Sequence, residues 1–208
     1  MSALLFDFDG TIADSLDVAS EIFYEVTGHP RITDPRRIAY LRTLPLKSVG
    51  KELGIRPSQV PRLMLQGRTQ MRRRMGSVKT VPGLHDALRR LRGMGHQLFV
   101  ISSNSRQNVE IFLTDHHLLE DFDEIYGGIG LFNKKRALRK IMRRNKLRPE
   151  DCAYIGDEIR DMAAAQKAHV QAVAVAWGYN DAHALRLAGA DAVAQRPADL
   201  LRIFGPDK

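Results

Sequence analysis

The chain of 208 residues contains a single cysteine, Cys152, so an internal disulfide is impossible and disulfide-stapled secreted scaffolds are excluded. The expected location is the reducing cytoplasm, and Cys152, in a candidate buried strand, reads as a packing residue. No apolar run approaches the ~20 residues that a membrane-spanning helix requires. The first apolar stretch, Ala3 to Phe8, is interrupted by Asp7 and followed by Asp9, so neither a signal peptide nor an anchor is expected, and no membrane partner. Aromatic residues are scarce at 7%, and the basic run from Lys134 to Arg148 carries none between its charges, which argues against the stacking platform used for single-stranded nucleic acid. Internal repeats and low-complexity stretches are also absent. What remains is 44% hydrophobic and 27% charged, a balance that disfavours disorder. The length suits one medium domain, or a core carrying a smaller insertion.

The charge is unevenly placed. The chain carries 32 Lys and Arg against 24 Asp and Glu, a net +8, and the segment Ser15 to Thr80 alone holds 13 basic against 5 acidic residues. All of the excess therefore sits in one third of the chain. A local basic field concentrates anions, so a phosphorylated metabolite, a nucleic acid or an acidic surface are candidate partners. A solvated basic face accounts for the same count.

Outside that segment, short runs rich in Val, Ile, Leu and Phe alternate with helix-period stretches. The runs Leu4 to Phe8, Gln97 to Ile101, Glu124 to Tyr126, Cys152 to Ile155, Gln171 to Ala176 and Ala190 to Val193 are expected strands. Gly83 to Met94, Arg106 to Asp115, Lys134 to Asn145, Glu158 to Ala168 and Asp181 to Ala188 are expected amphipathic helices. Such alternation predicts an α/β fold, a doubly wound Rossmann-like parallel sheet with ligands gathered at the carboxyl ends of the strands. Ser15 to Thr80 breaks the rhythm: it reads as three or four helices with no strand before the Val81-Pro82-Gly83 turn, and Leu16, Ala19, Ile22, Phe23 and Val26 have helical spacing. The expected organisation is a core of residues 1–14 and 81–208, with residues 15–80 as a small all-helical cap inserted after the first strand.

The first strand ends in Phe6-Asp7-Phe8-Asp9-Gly10-Thr11. Residues two apart on a strand share a side, so Asp7 and Asp9 are expected to converge where the chain leaves the sheet. Two close carboxylates repel unless a cation lies between them, and a hard cation such as magnesium suits oxygen ligands while keeping positions open for water or phosphate. A solvated loop or a helix cap is the ordinary reading of such a pair. It fits poorly at the end of an apolar, buried strand, where unpaired charge is expensive.

The run Asp7-Phe8-Asp9-Gly10-Thr11-Ile12-Ala13-Asp14-Ser15 resembles the first signature of the haloacid dehalogenase superfamily, in particular its phosphatases of the phosphoglycolate phosphatase type. Three further elements follow in the expected order. They are Leu98-Phe99-Val100-Ile101-Ser102-Ser103-Asn104, then Leu131-Phe132-Asn133-Lys134-Lys135, then Tyr154-Ile155-Gly156-Asp157-Glu158-Ile159-Arg160-Asp161. The tail Ala174-Val175-Ala176-Trp177-Gly178-Tyr179-Asn180 is also similar to the stretch after the last signature in such phosphatases. The resemblance implies a magnesium (Mg2+) cofactor and a small phosphorylated substrate.

It also implies roles. Asp7 is the expected nucleophile, forming an aspartyl-phosphate, and Asp9 the general acid and then base. Thr11 and Ser102 are expected to hold phosphate oxygens, helped by the main-chain amides of Gly10 and Ser103, with Lys134, or Lys135 in its place, neutralising nucleophile and phosphate. The metal is expected on Asp7, Asp157 and the backbone carbonyl of Asp9, with Glu158 and Asp161 orienting its waters.

Other readings of the same residues stand beside these. Ser103 and Ser105 are natural caps for the helix from Arg106, Lys134 is one charge in a basic helix, and Asp157 and Asp161 are placed to cap a helix start. Asn133 stands where a glycine often precedes the lysine, and Ser102-Ser103-Asn104 where relatives show Thr-Asn-Lys. Neither departure removes a reactive group, but both weaken transfer of a substrate name. The alternatives in function are a phosphomutase or other phosphoryl transferase of the same fold and, from a different class, a basic nucleic-acid-binding protein.

Overall fold

The computed structural model describes residues 2–130 and 133–205. In chain order the elements are β1 (Ala3–Phe6), β2 (Ala13–Asp14), α1 (Leu16–Thr27), α2 (Pro35–Arg42), α3 (Leu46–Glu52), α4 (Val60–Arg74), β3 (Lys79–Thr80), α5 (Leu84–Gly93), β4 (Gln97–Ile101), α6 (Arg106–Asp115), β5 (Glu124–Tyr126), α7 (Lys134–Arg144), β6 (Cys152–Gly156), α8 (Ile159–Ala168), β7 (Gln171–Val175), α9 (Ala182–Leu187), β8 (Ala192–Ala194) and α10 (Ala198–Phe204). Six strands form one parallel sheet in the order β5-β4-β1-β6-β7-β8. The order reverses at β1, whose neighbours β4 and β6 come later in the chain. That point opens the crevice at the carboxyl ends of the strands.

Period-two alternation divides the strand residues between two apolar layers. Leu4, Phe6, Leu98 and Val100 pack with Leu84, Leu88, Phe112, Leu200 and Phe204 of α5, α6 and α10. Ala3, Leu5, Phe99, Ile101 and Tyr154 pack on the other side with Leu138, Ile141, Met162, Ala165 and Leu185 of α7, α8 and α9. Both faces are covered, which is why these strands are continuously apolar. Cys152 is buried in this second layer, as its sequence context implied.

Three expectations are corrected. The first strand stops at Phe6, two residues short, because Thr11, Ile12 and Ala13 all donate their amides to Phe8 O in a tight turn made possible by Gly10 at φ +74°. Asp7 and Asp9 therefore do not share a strand face. The segment before Val81 is not strand-free, since β3 pairs antiparallel with β2, Ala13 opposite Thr80 and Asp14 opposite Lys79. Two-residue strands leave no apolar run to detect, yet this ribbon joins the two ends of the helical segment. Finally, α10 was not anticipated, because its seven residues give too short a pattern, although Leu200 and Phe204 close the core.

The helical segment is thinly packed. Ile22 is the one buried residue in α1, and α2, α3 and α4 have none. Several of its charges pair internally, Arg31 with Glu21, Arg37 with Glu52 and Arg74 with Glu25.

Candidate active site

Three central strands deliver polar residues directly after their last apolar ones. Asp7 follows β1, Ser102 follows β4 and Asp157 follows β6, and the register places Phe6 opposite both Val100 and Ile155. The Asp7 amide continues the ladder to Ile155 O at 2.8 Å. Phe8 anchors the loop between the two aspartates, its buried ring meeting Phe112 edge-on with centroids 5.1 Å apart. The turn at Gly10 then returns the chain so that Thr11 reaches Asp157, its Oγ1 donating to Oδ1 at 3.0 Å.

Lys134 opens α7 and is 3% exposed, whereas Lys135 faces solvent. The Lys134 Nζ donates to Asp7 Oδ2 and Asp161 Oδ1, each at 2.5 Å, and lies 5.6 Å from the centroid of the Tyr154 ring. Of the two lysines left open by sequence, Lys134 is the one whose ammonium meets the carboxylates. Carboxylate oxygens of Asp7, Asp157 and Asp161 lie within 4.8 Å of one another, all buried. Asp161 thus joins the acidic group directly, and its Oδ2 also accepts from the Glu158 amide at 3.2 Å, closing a capping box at the start of α8. The Glu158 side chain turns to Arg160. The cap reading of Asp161 and its place in the acidic group are therefore both realised.

Burial shapes the electrostatics. Desolvation raises the Asp7 carboxyl to about 7, against the attraction of Lys134 and with the repulsion of Asp161. Burial likewise lifts Asp157 well above the usual carboxylate range, reinforced by Glu158, Asp7 and Asp161, while the Tyr179 amide, 2.7 Å from Oδ2, opposes the rise. For Lys134, desolvation would lower the value, but Asp161 and Asp7 together hold it well above normal, so it stays charged. Asp9 is half-buried as a residue, yet its Oδ1 is fully buried and has no hydrogen-bond partner among the described residues; burial raises its carboxyl to about 6, with the Ser15 hydroxyl and Lys134 opposing.

These features suit a cation. Three mutually repelling buried carboxylates share one ammonium, which touches Asp7 and Asp161 but not Asp157, and a buried carboxylate oxygen of Asp9 has no partner among the described residues. The space around Asp157 is kept by glycine: a Cβ on Gly10 would lie 2.2 Å from Asp157 Oδ2, and one on Gly178 2.3 Å from the same atom. The residues present fit a hard divalent ion.

The remaining expected residues are placed as follows. Ser102 is fully buried, and its Oγ accepts from the Asn104 amide at 2.9 Å, which leaves the hydroxyl proton free to donate. Ser105, not Ser103, caps α6 through Asn108 N. The Ser103 amide has no partner among the described residues. The Gly10 amide, expected to face phosphate, instead donates to Ala13 O at 2.9 Å, so Gly10 supplies the turn and the close approach to Asp157. Leu131 and Phe132 of the lysine signature lie outside the described residues.

Several contributors carried no assigned role in the sequence. Trp177 Nε1 donates to Thr11 O at 3.1 Å, Tyr179 N holds Asp157, and the Asn180 amide donates to Asp157 O at 3.1 Å. In the sequence the Trp177-to-Asn180 run carries only a family-like resemblance, because backbone-directed contacts of this kind have no residue-type signature.

Residues 4–175 match the haloacid dehalogenase-like hydrolase family. A phosphoglycolate phosphatase of Synechococcus elongatus is 36% identical over 205 residues, covering 97% of this chain and 96% of its own. A phosphoglycolate phosphatase of Chromobacterium violaceum is 30% identical over 217 residues, covering 96% and 95%. Among solved structures, a haloacid dehalogenase-like hydrolase from Streptococcus pneumoniae superposes with a TM-score of 0.80 at 23% identity, covering 98% of each chain. The chain belongs to the haloacid dehalogenase-like hydrolase family, in the branch that contains the phosphoglycolate phosphatases, and is by class a phosphomonoester phosphatase.

Proposed function

We propose that the protein hydrolyses a small anionic phosphomonoester through an aspartyl-phosphate on Asp7, with magnesium as its cofactor. The observation that carries the reading is the Lys134 ammonium bridging Asp7 and Asp161 beside Asp157, with one carboxylate oxygen of Asp9, Oδ1, buried and unpaired among the described residues. Asp7 and Asp157 would hold the ion with the Asp9 carbonyl, Asp161 and Glu158 supporting it. When bound, it neutralises charge shared between the phosphate and the carboxylates.

Lys134 has three N–H donors and spends two on Asp7 and Asp161, so one remains for a phosphate oxygen. The Ser102 hydroxyl and the Ser103 amide supply two more donors, and the Thr11 hydroxyl a fourth when it turns from Asp157. An ionised Asp7 oxygen attacks phosphorus while the bond to the leaving oxygen breaks, and Asp9 protonates the departing alkoxide. Asp9 then takes a proton from water as that water attacks phosphorus, releasing inorganic phosphate and restoring Asp7. A carboxyl near 6 serves both directions of proton transfer around neutral pH.

Residues 15–80 act as the cap over this crevice, on residues 1–14 and 81–208 as core. The 13 basic residues of that segment favour a substrate bearing a second anionic group, and the relatives' activity makes 2-phosphoglycolate the first compound to try. A phosphomonoester panel including it, assayed for phosphate release with magnesium and with EDTA, tests the reading. Turnover that requires magnesium and ranks small carboxylated esters highest is expected; magnesium-independent turnover, or none from folded protein, overturns it.

A further inference from the structure

Resting on that reading of the site, we propose that Asn180 is a positioning residue that couples the placement of the cap to the geometry of Asp157. Its side chain is buried at 3% exposure and fully engaged. The Nδ2 group donates to Arg42 O at 2.8 Å and Leu44 O at 2.9 Å, both on the helical segment, while Oδ1 accepts from the Ile159 amide at 3.0 Å at the start of α8. This orientation of the amide is dictated by its partners, since a flipped group would set oxygen against two carbonyls. Its own main-chain amide donates to Asp157 O at 3.1 Å.

The contact is reciprocal. Arg42, the last residue of α2, donates through Nη2 to Gly178 O at 2.9 Å and through Nε to Tyr179 O at 3.3 Å, and its carbonyl also accepts from the Asp181 amide at 3.2 Å. At the end of α2 the Tyr40 and Leu41 carbonyls accept from the Thr43 and Leu44 amides of the same segment, whereas the last one, Arg42 O, has no partner within the helical segment and is satisfied by the core. Residues 178–181 work as an adapter: one edge grips the cap, and the other holds the Asp157 carboxylate through Tyr179 N and through the close approach of Gly178. With the cap docked, Asp157 and the first turn of α8 are fixed. Undocking removes the Arg42 and Leu44 carbonyls from Asn180 and frees the adapter that holds Asp157.

The test uses the full chain, without added divalent ion, and two substitutions outside the reacting set. Arg42→Ala removes the cap's donors; Asn180→Asp keeps the shape but replaces both N–H donors with oxygen. Amide hydrogen exchange is followed at Ile159, Tyr179 and Asn180, with Phe99 in the central sheet as control, alongside kcat and KM for p-nitrophenyl phosphate. The expected result is exchange about tenfold faster at the three adapter amides in both variants, with Phe99 unchanged. In the presence of magnesium, kcat should fall by about tenfold with KM nearly constant, the pattern of a misplaced site rather than a weakened grip. Unchanged exchange at Ile159 and Tyr179 in Arg42→Ala overturns the coupling, whatever happens to turnover. If Asn180→Asp does not fold, Arg42→Ala decides alone. If the native chain hydrolyses no phosphomonoester, the functional reading fails separately, because the exchange result needs neither substrate nor metal.

Discussion

Replacing Lys134 with methionine keeps the volume of the side-chain stem and removes the ammonium that faces the buried Asp7 and Asp161 carboxylates at 2.5 Å. Removing one partner of a buried ion pair costs about 3–5 kcal/mol when the other stays charged. Here the penalty depends on pH, because Asp7 can take up a proton instead. Its folded value, about 7, lies above the ordinary 3.8, so its contribution to stability is complete below the unfolded value and is lost as pH rises through the folded one. Without Lys134, the influence that lowers Asp7 disappears and the folded value climbs further. The variant then goes on losing stability over a pH range in which the native chain has stopped. The gap between the two chains should widen by about 1.4 kcal/mol per pH unit for each extra proton the variant holds. Urea unfolding of both chains in EDTA at about pH 5.5 and about pH 8 measures it. The gap at the higher pH is expected to exceed that at the lower by about 1.4 kcal/mol, the one extra proton on Asp7 held over about one pH unit above the native value of about 7, and to narrow on addition of magnesium. An equal gap at both pH values, or no destabilisation near pH 8, would refute the reasoning.

Other substitutions and conditions test separate links. Asp9→Asn should lower kcat by about 10²–10⁴-fold. The same change should stabilise the metal-free chain above about pH 6, because it removes a buried carboxylate with an unpaired oxygen; a loss of stability in urea melts there would contradict this. Gly178→Ala places a Cβ 2.3 Å from Asp157 Oδ2, so it should cost about 1–3 kcal/mol and weaken magnesium binding about tenfold or more by calorimetry. The native metal-free chain should lose stability as pH rises from about 4, the ordinary carboxylate value, levelling off as Asp9 and then Asp7 pass their folded values of about 6 and about 7; thermal melts across that range, with and without magnesium, should show the metal reversing the trend.

The sheet was legible in the sequence because its strands are buried on both faces, so each reads as a short apolar run between amphipathic helices. The aspartate pair was legible as chemistry but not as geometry: the strand ends at Phe6, and Asp9 arrives through the Gly10 turn. Lys134 could be picked from a helix of seven basic residues only by its place at the helix start and by the family pattern; its burial, against Lys135's exposure, is visible only in the fold. Asp161 was read as a support for the site; its oxygen joins those of Asp7 and Asp157 because β6 delivers Asp157 directly into the first turn of α8. The contacts of Arg42 with residues 178–181 were illegible, since they join positions more than 130 residues apart through main-chain carbonyls that every residue type possesses.

The central claim is that Asp7 carries the phosphoryl group in turnover. Its most direct test is a rapid acid quench of the magnesium-loaded enzyme during hydrolysis of a radiolabelled phosphomonoester, with the labelled peptide mapped by mass spectrometry. The account predicts a hydroxylamine-sensitive phosphate on Asp7 that is absent from Asp7→Asn. Label on any other residue, or hydrolysis with no covalent intermediate under conditions that trap a burst, would contradict it.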